Sequence, residues 1–466
     1  GRCIPIPIPS KFQNGQQPTC YNFLRSMPTR PLNCDFVPRE QKNLQTSFLD
    51  LSNIYGTSEY GINYLRLKKK GMIRMVKCGD DILLPPDWNG ITGCHNTEYP
   101  CMLAGDLRVN QHPILTYLHV IWTLEHNRVA EELYNLNPDW TDERLFQEAS
   151  KLVRAEYQHI VYNELLPIVI GDAVMKQYGL YSQKMGYHFG YNKKTNAGIR
   201  NGFSTGAYRY AHSMVDDWVT FSGGCPYASK KCAIKDFVHS QEQLFRPSIR
   251  HGCTMTIYKN LSEVTTADLY QHMTGGTEMM RGILMKRAQL NNDLRFSEDL
   301  SLRMFDGHIE LFSFDIQRGR DHGLPGYNVW RRFCNLSTAN SFRNSPGGLV
   351  DHPKEIARKL ARIYNSPDDI DFLLGGLTEI ATPGQGIVGP LFKCIIGLQF
   401  KFLKEGDRFW YENRGVEGFS LVQLNEIRKA SHARILLDNS HLQKVPKQAF
   451  LIFDMFLNPM VNAEDT

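Results

Sequence analysis

The chain holds fifteen histidines, and one of them stands out by its company. His212 lies in Thr205-Gly206-Ala207-Tyr208-Arg209-Tyr210-Ala211-His212-Ser213-Met214, a stretch of helical composition with Arg209 three residues before it. On a helix that spacing puts a fixed cation on the same face as the imidazole. An axial ligand of a haem iron, with an arginine beside it for a propionate, would need this arrangement. Spacing alone also allows a structural Arg–His contact, because Arg-x-x-His is a common pair. His112, His119 and His126 recur every seven residues. A helix rises about 1.5 Å per residue, so neighbours in that series stand about 10 Å apart and cannot share one metal. His119 and His126 are therefore expected to pack or hydrogen-bond.

A second cluster runs Asp321-His322-Gly323-Leu324-Pro325-Gly326-Tyr327-Asn328-Val329-Trp330-Arg331-Arg332. A glycine–proline turn leads into a helix on which Asn328 and Arg331 share a face. An amide accepting the proton on the far side of an iron-bound imidazole, beside a propionate-binding guanidinium, makes a sensible support for His212. The sequence has no HExxH or Cys-x-x-Cys, so zinc hydrolase chemistry loses its main signals.

The elements that must position these residues are mainly helical. The stretch 113–135 starts with Pro113 at a first helical position and carries apolar residues at Ile114, Leu115, Leu118, Ile121, Leu124 and Val129. Similar periodicity appears at 143–165, 264–290, 353–363 and 421–433, separated by glycine and proline clusters. Alternating strand patterns are few and short. With no internal repeat or low-complexity linker, residues 1–466 read as one large helical domain. Ile4-Pro5-Ile6-Pro7-Ile8-Pro9 should be extended.

A net charge of +5 is too mild and dispersed to imply nucleic acid, and Lys68-Lys69-Lys70 reads as a solvated helix end. No apolar run approaches a membrane span, and Pro167 interrupts one of the longest, 165–170. Eleven cysteines and the sequons Asn260-Leu-Ser and Asn335-Leu-Ser favour secretion or a secretory granule. The opening Gly1-Arg2-Cys3-Ile4-Pro5 reads as the interior of a processed precursor.

Taken together, these stretches resemble the animal haem peroxidases of the peroxidase–cyclooxygenase superfamily. The resemblance runs from about residue 3 to about 455. It includes Thr46-Ser47-Phe48-Leu49-Asp50-Leu51-Ser52, Leu103-Ala104-Gly105-Asp106-Leu107-Arg108, Glu125-His126-Asn127-Arg128, Arg209-Tyr210-Ala211-His212, the Gly323-to-Cys334 run, Gly389-Pro390-Leu391 and Gly406-Asp407-Arg408-Phe409-Trp410. It implies His212 as the proximal haem ligand, Asn328 as its hydrogen-bond partner, Arg209 and Arg331 as propionate binders, and Arg108 as the distal arginine that polarises peroxide. Thr46, Phe48 (through its carbonyl), Asp50 and Ser52 match the family's calcium loop, an oxygen set that suits a hard cation. Implied disulfides are Cys3–Cys20, Cys94–Cys101 and Cys334–Cys394, with Cys34, Cys78, Cys225, Cys232 and Cys253 left unpaired.

The implied function is a haem b peroxidase that reduces hydrogen peroxide and oxidises phenolic or tyrosyl donors or easily oxidised halides. Three departures modify it. The family's distal histidine lies in a Gln-x-x-Asp-His segment upstream of the Cys3 region, so an N-terminal light chain or fragment is expected as partner; Asp321-His322 is not that segment. Gln111 stands where mammalian members carry a haem-esterifying glutamate, and His112 replaces a methionine that forms a sulfonium link, which argues for a less modified haem and against efficient chloride oxidation. Any covalent attachment would run through an upstream residue. Two rivals remain. A fatty-acid dioxygenase needs a radical-forming tyrosine where this chain has Arg209. An adhesion protein is not supported by any Arg-Gly-Asp or Lys-Gly-Asp.

Overall fold

The computed structural model describes the chain apart from residues 1–2, 10–18, 30–37, 79–80, 88, 93, 95–100, 223–255, 261–274, 287, 289–294, 304–308 and 416. The architecture is mainly α, as the periodicity requires. Helix α1 (Pro113–Leu136) begins on Pro113, and His112 caps it, its Nδ1 accepting from the Ile114 N–H at 3.1 Å. Helix α2 (Asp142–Ile160) is capped by the Thr141 hydroxyl and carries Asp142 and Glu143 in its first turn, where they oppose the helix dipole. It continues through a single π turn, Val161–Leu165, into Leu166–Ile170. Pro167 explains that turn: it has no N–H to return to the preceding turn, so the ladder slips. Gly171 then ends the helix at φ +80°, with the Gln385 carbonyl oxygen 2.3 Å from where a Cβ would sit.

The remaining long helices are α3 (Gly275–Leu284), α4 (Leu311–Asp321), α5 (Tyr327–Phe333), α6 (Lys354–Ile363), α7 (Pro390–Gly406), α8 (Leu421–Ile427) and α9 (His432–Asp438). Two helix expectations need comment. The periodic stretch 421–433 is broken, because Ser431 adopts an extended conformation and its hydroxyl caps α9 through the Arg434 N–H at 3.1 Å. Of the stretch 264–290, residues 264–274 lie outside the described set. The buried apolar faces form two clusters, one around α1 and one around α7, and Leu152 and Tyr157 of α2 pack against both.

Among the described residues the strands make four two-stranded antiparallel pairs. In the first, Cys3 lies opposite Leu24 and Cys20 opposite Pro7. That register corrects the Cys3–Cys20 disulfide: the two backbones stand at opposite ends of the pair, roughly 13 Å apart at strand rise, beyond disulfide reach. Cys20 is a free thiol. The Cys94–Cys101 and Cys334–Cys394 disulfides are formed. Cys34, Cys225, Cys232 and Cys253 lie outside the described residues, as does the side chain of Cys78. No described helix is long and apolar enough to cross a membrane.

Candidate functional site

His212 sits on a 3-10 helix, Ala207–Met214, that turns against the cluster of side chains around α7. Its Nδ1 is 2.5 Å from Oδ2 of Asp315 on α4, and the other oxygen of that carboxylate receives Nη1 of Arg209. Asp315 is completely buried, whereas the His212 side chain is about a third exposed, at 32%. Two cationic or proton-bearing groups therefore converge on one carboxylate that water cannot reach, and the pairing offsets its desolvation. With Nδ1 donating to Asp315, Nε2 is left with its lone pair, and no described residue hydrogen-bonds it. One turn further along α4, Arg318 lies over the Phe23 ring and donates to Leu24 O, Ser26 Oγ and Asp321. Burial holds the Arg318 guanidinium below its usual range, and the neighbouring Arg209 adds repulsion against the pull of Asp321 and Asp315. Arg209, His212, Asp315 and Arg318 thus form one cluster.

Asn328 is not in that cluster. Its amide donates to Ala339 O and Asp368 Oδ1 and accepts from Ala339 N, all within 2.9 Å, which ties α5 to the neighbouring loops. The expected amide partner of His212 is replaced by the Asp315 carboxylate. Arg331 is also displaced from its expected role. It is 2% exposed and pairs with Glu379 at 2.7 Å and Asp351 at 2.6 Å, while Nε donates to the Ser337 carbonyl. Glu379 also accepts from Tyr327 and from the Leu391 N–H. In this structure the guanidinium thus serves two carboxylates and Ser337. Asn328 and Arg331 are both buried on α5, as their three-residue spacing requires, but the neighbours they meet come from distant segments. The signal missed was Asp315-Ile316-Gln317-Arg318, which repeats the three-residue spacing of Arg209 and His212.

Arg108 and Gln111 share one exposed turn, Leu107–Asn110 with Gln111 closing it. Asp106 caps that turn by accepting from the Arg108 N–H at 2.8 Å and holds the guanidinium as well. Despite burial, these bonds keep the Asp106 carboxyl below the usual range. The described contacts tie Arg108 to Asp106, not to the His212 cluster. His119 bonds Asn53 and the Leu115 carbonyl, and His126 is buried between Tyr55 and the Gly71 carbonyl, with burial depressing its pKa to about 4. Both are packing and hydrogen-bonding residues, as their spacing required. In the 46–52 loop, Thr46 Oγ1 lies 2.7 Å from both Asp50 carboxylate oxygens, 3.3 Å from Ser52 Oγ and 3.5 Å from the Phe48 carbonyl. Four residues thus turn oxygens toward one point, and Leu51 adopts φ +54° to let them.

The sequence matches the animal haem peroxidase family over residues 1–450. The chain belongs to that family. It is 36% identical to the chorion peroxidase of Drosophila melanogaster over 99% of this chain and 54% of that protein's length. It is 34% identical to human myeloperoxidase over 99% of this chain and 59% of that protein, and 34% identical to human peroxidasin homolog over 97% of this chain and 29% of that protein. The chain thus spans little more than half, or less, of these relatives. Peroxidase A of Dictyostelium discoideum superposes with a TM-score of 0.73 at 24% identity, covering 95% of this chain and 81% of that one. The fatty acid alpha-dioxygenase of Oryza sativa gives a TM-score of 0.69 at 18% identity, covering 93% of this chain and 69% of that one. At such identities the two structures share a fold with this member of the family, and no more.

Proposed function

We propose that this member of the animal haem peroxidase family binds haem through Nε2 of His212 and reduces hydrogen peroxide at the expense of phenolic, tyrosyl or easily oxidised halide donors. The observation that carries the reading is the His212–Asp315 pair, which ties down Nδ1 and leaves Nε2 of a part-exposed imidazole without a hydrogen bond to any described residue. The residues fit the group: a neutral imidazole suits iron, and Arg209 and Arg318 suit its acidic edge. Haem b, when bound, supplies the two-electron chemistry. The chain's own residues do the rest. Asp315 fixes the tautomer and ring plane of His212 and raises its basicity through the short Nδ1 bond. Arg108, held by Asp106 on its exposed turn, stabilises negative charge as the peroxide bond separates. The proton of the incoming peroxide is taken up by a histidine of an N-terminal light chain or fragment, as the family resemblance implies.

Thr46, Phe48, Asp50 and Ser52 are proposed to hold calcium, the convergent oxygens being the support. Gln111 has an amide where an ester link needs an acid, so any covalent attachment of the haem runs through an upstream residue. Secretion or granule storage, with a glycan on the exposed Asn335, completes the reading. The resemblance of fold to fatty acid dioxygenases does not favour that chemistry, because Arg209 occupies the position its tyrosine needs.

The deciding experiment is haem reconstitution of wild type and His212→Ala, followed by guaiacol turnover with peroxide. Wild type should show a Soret band and turnover, and the variant neither. A native-like coordinated haem spectrum in the variant would overturn the assignment.

A further inference from the structure

We infer that Tyr411 is a redox-active tyrosine with His159 as its proton acceptor, reached from the His212 end of the molecule through Tyr208, Tyr162 and Trp410. The inference rests on the haem site proposed above, whose peroxide-oxidised haem is the one-electron oxidant. Phenol and indole are among the side chains most easily oxidised by one electron, and here they form a connected file. Tyr208, four residues before His212, lies 6.3 Å from Tyr210 and 6.0 Å from Phe400, ring centre to ring centre. Phe400 is 5.6 Å from Tyr162, Tyr162 is 4.7 Å from Trp410, and Trp410 is 4.9 Å from Tyr411. Tyr208, where the file begins, is 41% exposed, but Tyr162, Phe400, Trp410 and Tyr411 are all buried at 3% exposure or less, so water and small reductants do not intercept a charge once it has passed Tyr208.

The hydrogen bonds decide where such a charge comes to rest. A phenol that loses an electron becomes very acidic and keeps the charge only if a base takes its proton. The Tyr162 hydroxyl donates to the Phe400 carbonyl at 2.7 Å, which is no base. The Trp410 N–H reaches a Glu412 oxygen only at 3.3 Å. Tyr411 differs: its hydroxyl donates to Ser182 Oγ at 2.6 Å and also lies 2.9 Å from Nδ1 of His159, a base within reach of its proton. Burial, with Arg428 nearby, holds His159 neutral with a pKa of about 4, while the Arg428 backbone hydrogen-bonds the ring. That leaves Nδ1 as the accepting nitrogen, facing the Tyr411 hydroxyl at 2.9 Å and the Asn163 amide N–H at 3.1 Å. In the step, one electron leaves Tyr411 for the oxidised haem, which is reduced by one electron. The phenolic proton moves from Tyr411 to His159 Nδ1, giving a neutral phenoxyl and an imidazolium. An external phenol resets the pair by giving one electron, with His159 returning its proton and the donor releasing its own to water.

The test uses the complete, haem-loaded protein mixed with peroxide in the absence of donor, freeze-quenched and read by electron paramagnetic resonance. A tyrosyl signal that narrows when the tyrosines are ring-deuterated is expected, and Tyr411→Phe should remove most of it while leaving the Soret band intact. An unchanged signal in Tyr411→Phe, or no tyrosyl signal in a wild type with an intact Soret band, overturns the inference. Should Tyr411→Phe not fold, His159→Gln replaces it and should lower the signal by roughly tenfold or more, since positioned proton transfer is worth about 10²–10⁴ in rate; an unchanged signal there is equally fatal. Should the protein take up no haem, the haem reading fails on its own, and a flash-generated ruthenium oxidant then tests the pair directly. A Tyr411-dependent radical supports the pair, and its absence removes it.

Discussion

Replacing Arg331 with Met separates a structural role for that residue from a cofactor-binding one. The guanidinium is enclosed by Glu379, which is fully buried, and by Asp351, whose side chain is 32% exposed. Removing it leaves Glu379 as a carboxylate in the interior with only the Tyr327 hydroxyl and the Leu391 N–H to satisfy it. Breaking a buried pair from one side costs about 3–5 kcal/mol. Burial already raises the Glu379 pKa, against the pull of Arg331; without that pull the carboxyl must take a proton to stay inside. A carboxyl with a raised folded-state pKa costs stability as pH rises and costs none below its unfolded value. The loss in Arg331→Met should therefore be largest at alkaline pH and shrink toward pH 4. Adding Glu379→Gln removes the stranded charge and keeps the Tyr327 and Leu391 contacts, so the double variant should recover all but about 1–2 kcal/mol. Urea unfolding of the four proteins at two pH values measures this, with the Soret band followed in parallel. An Arg331→Met protein of wild-type stability that fails to retain haem would refute the reasoning and return Arg331 to the propionate role.

Asp315→Ala should weaken haem retention by roughly 10–100-fold, whereas Asp315→Asn should keep the haem but raise its reduction potential, because an amide lends the imidazole less basicity; haem transfer to apomyoglobin and spectroelectrochemistry read the two effects. Chelation, or Asp50→Ala, should lower the urea midpoint by an amount equivalent to about 3 kcal/mol when calcium stood at a hundredfold excess over its Kd, and verified metal removal without effect counts against the loop. Glu164 is pushed by burial to about 7, and its Oε2 has no hydrogen-bond partner among the described residues. Its ionisation costs at most about 3 kcal/mol above that pH and nothing below its unfolded value. Glu164→Gln should therefore stabilise the protein by about 1–2 kcal/mol at pH 8 and lose the gain near pH 4, as thermal unfolding across that window would show.

The sequence by itself determined the helical class, the start of α1 at Pro113, the structural use of His119 and His126, and the prominence of His212 beside Arg209. These are local matters: periodicity, capping and rise per residue act within a few turns. The resemblance also singled out Thr46, Phe48, Asp50 and Ser52, but their oxygens converge only because the loop bends and Leu51 turns left-handed. Only the tertiary structure decided which side chain meets His212. Asn328 and Asp315 are both polar and both follow His212 by more than a hundred residues, and nothing local ranks them. The packing of α4 against the 207–214 helix brings the carboxylate to Nδ1, while the fold of α5 turns Asn328 toward Ala339 and buries Arg331 against Glu379. The same holds for Cys3 and Cys20, whose separation depends on strand register, and for the file from Tyr208 to Tyr411. Its members come from four separate segments, and their ring distances exist only once the chain has folded.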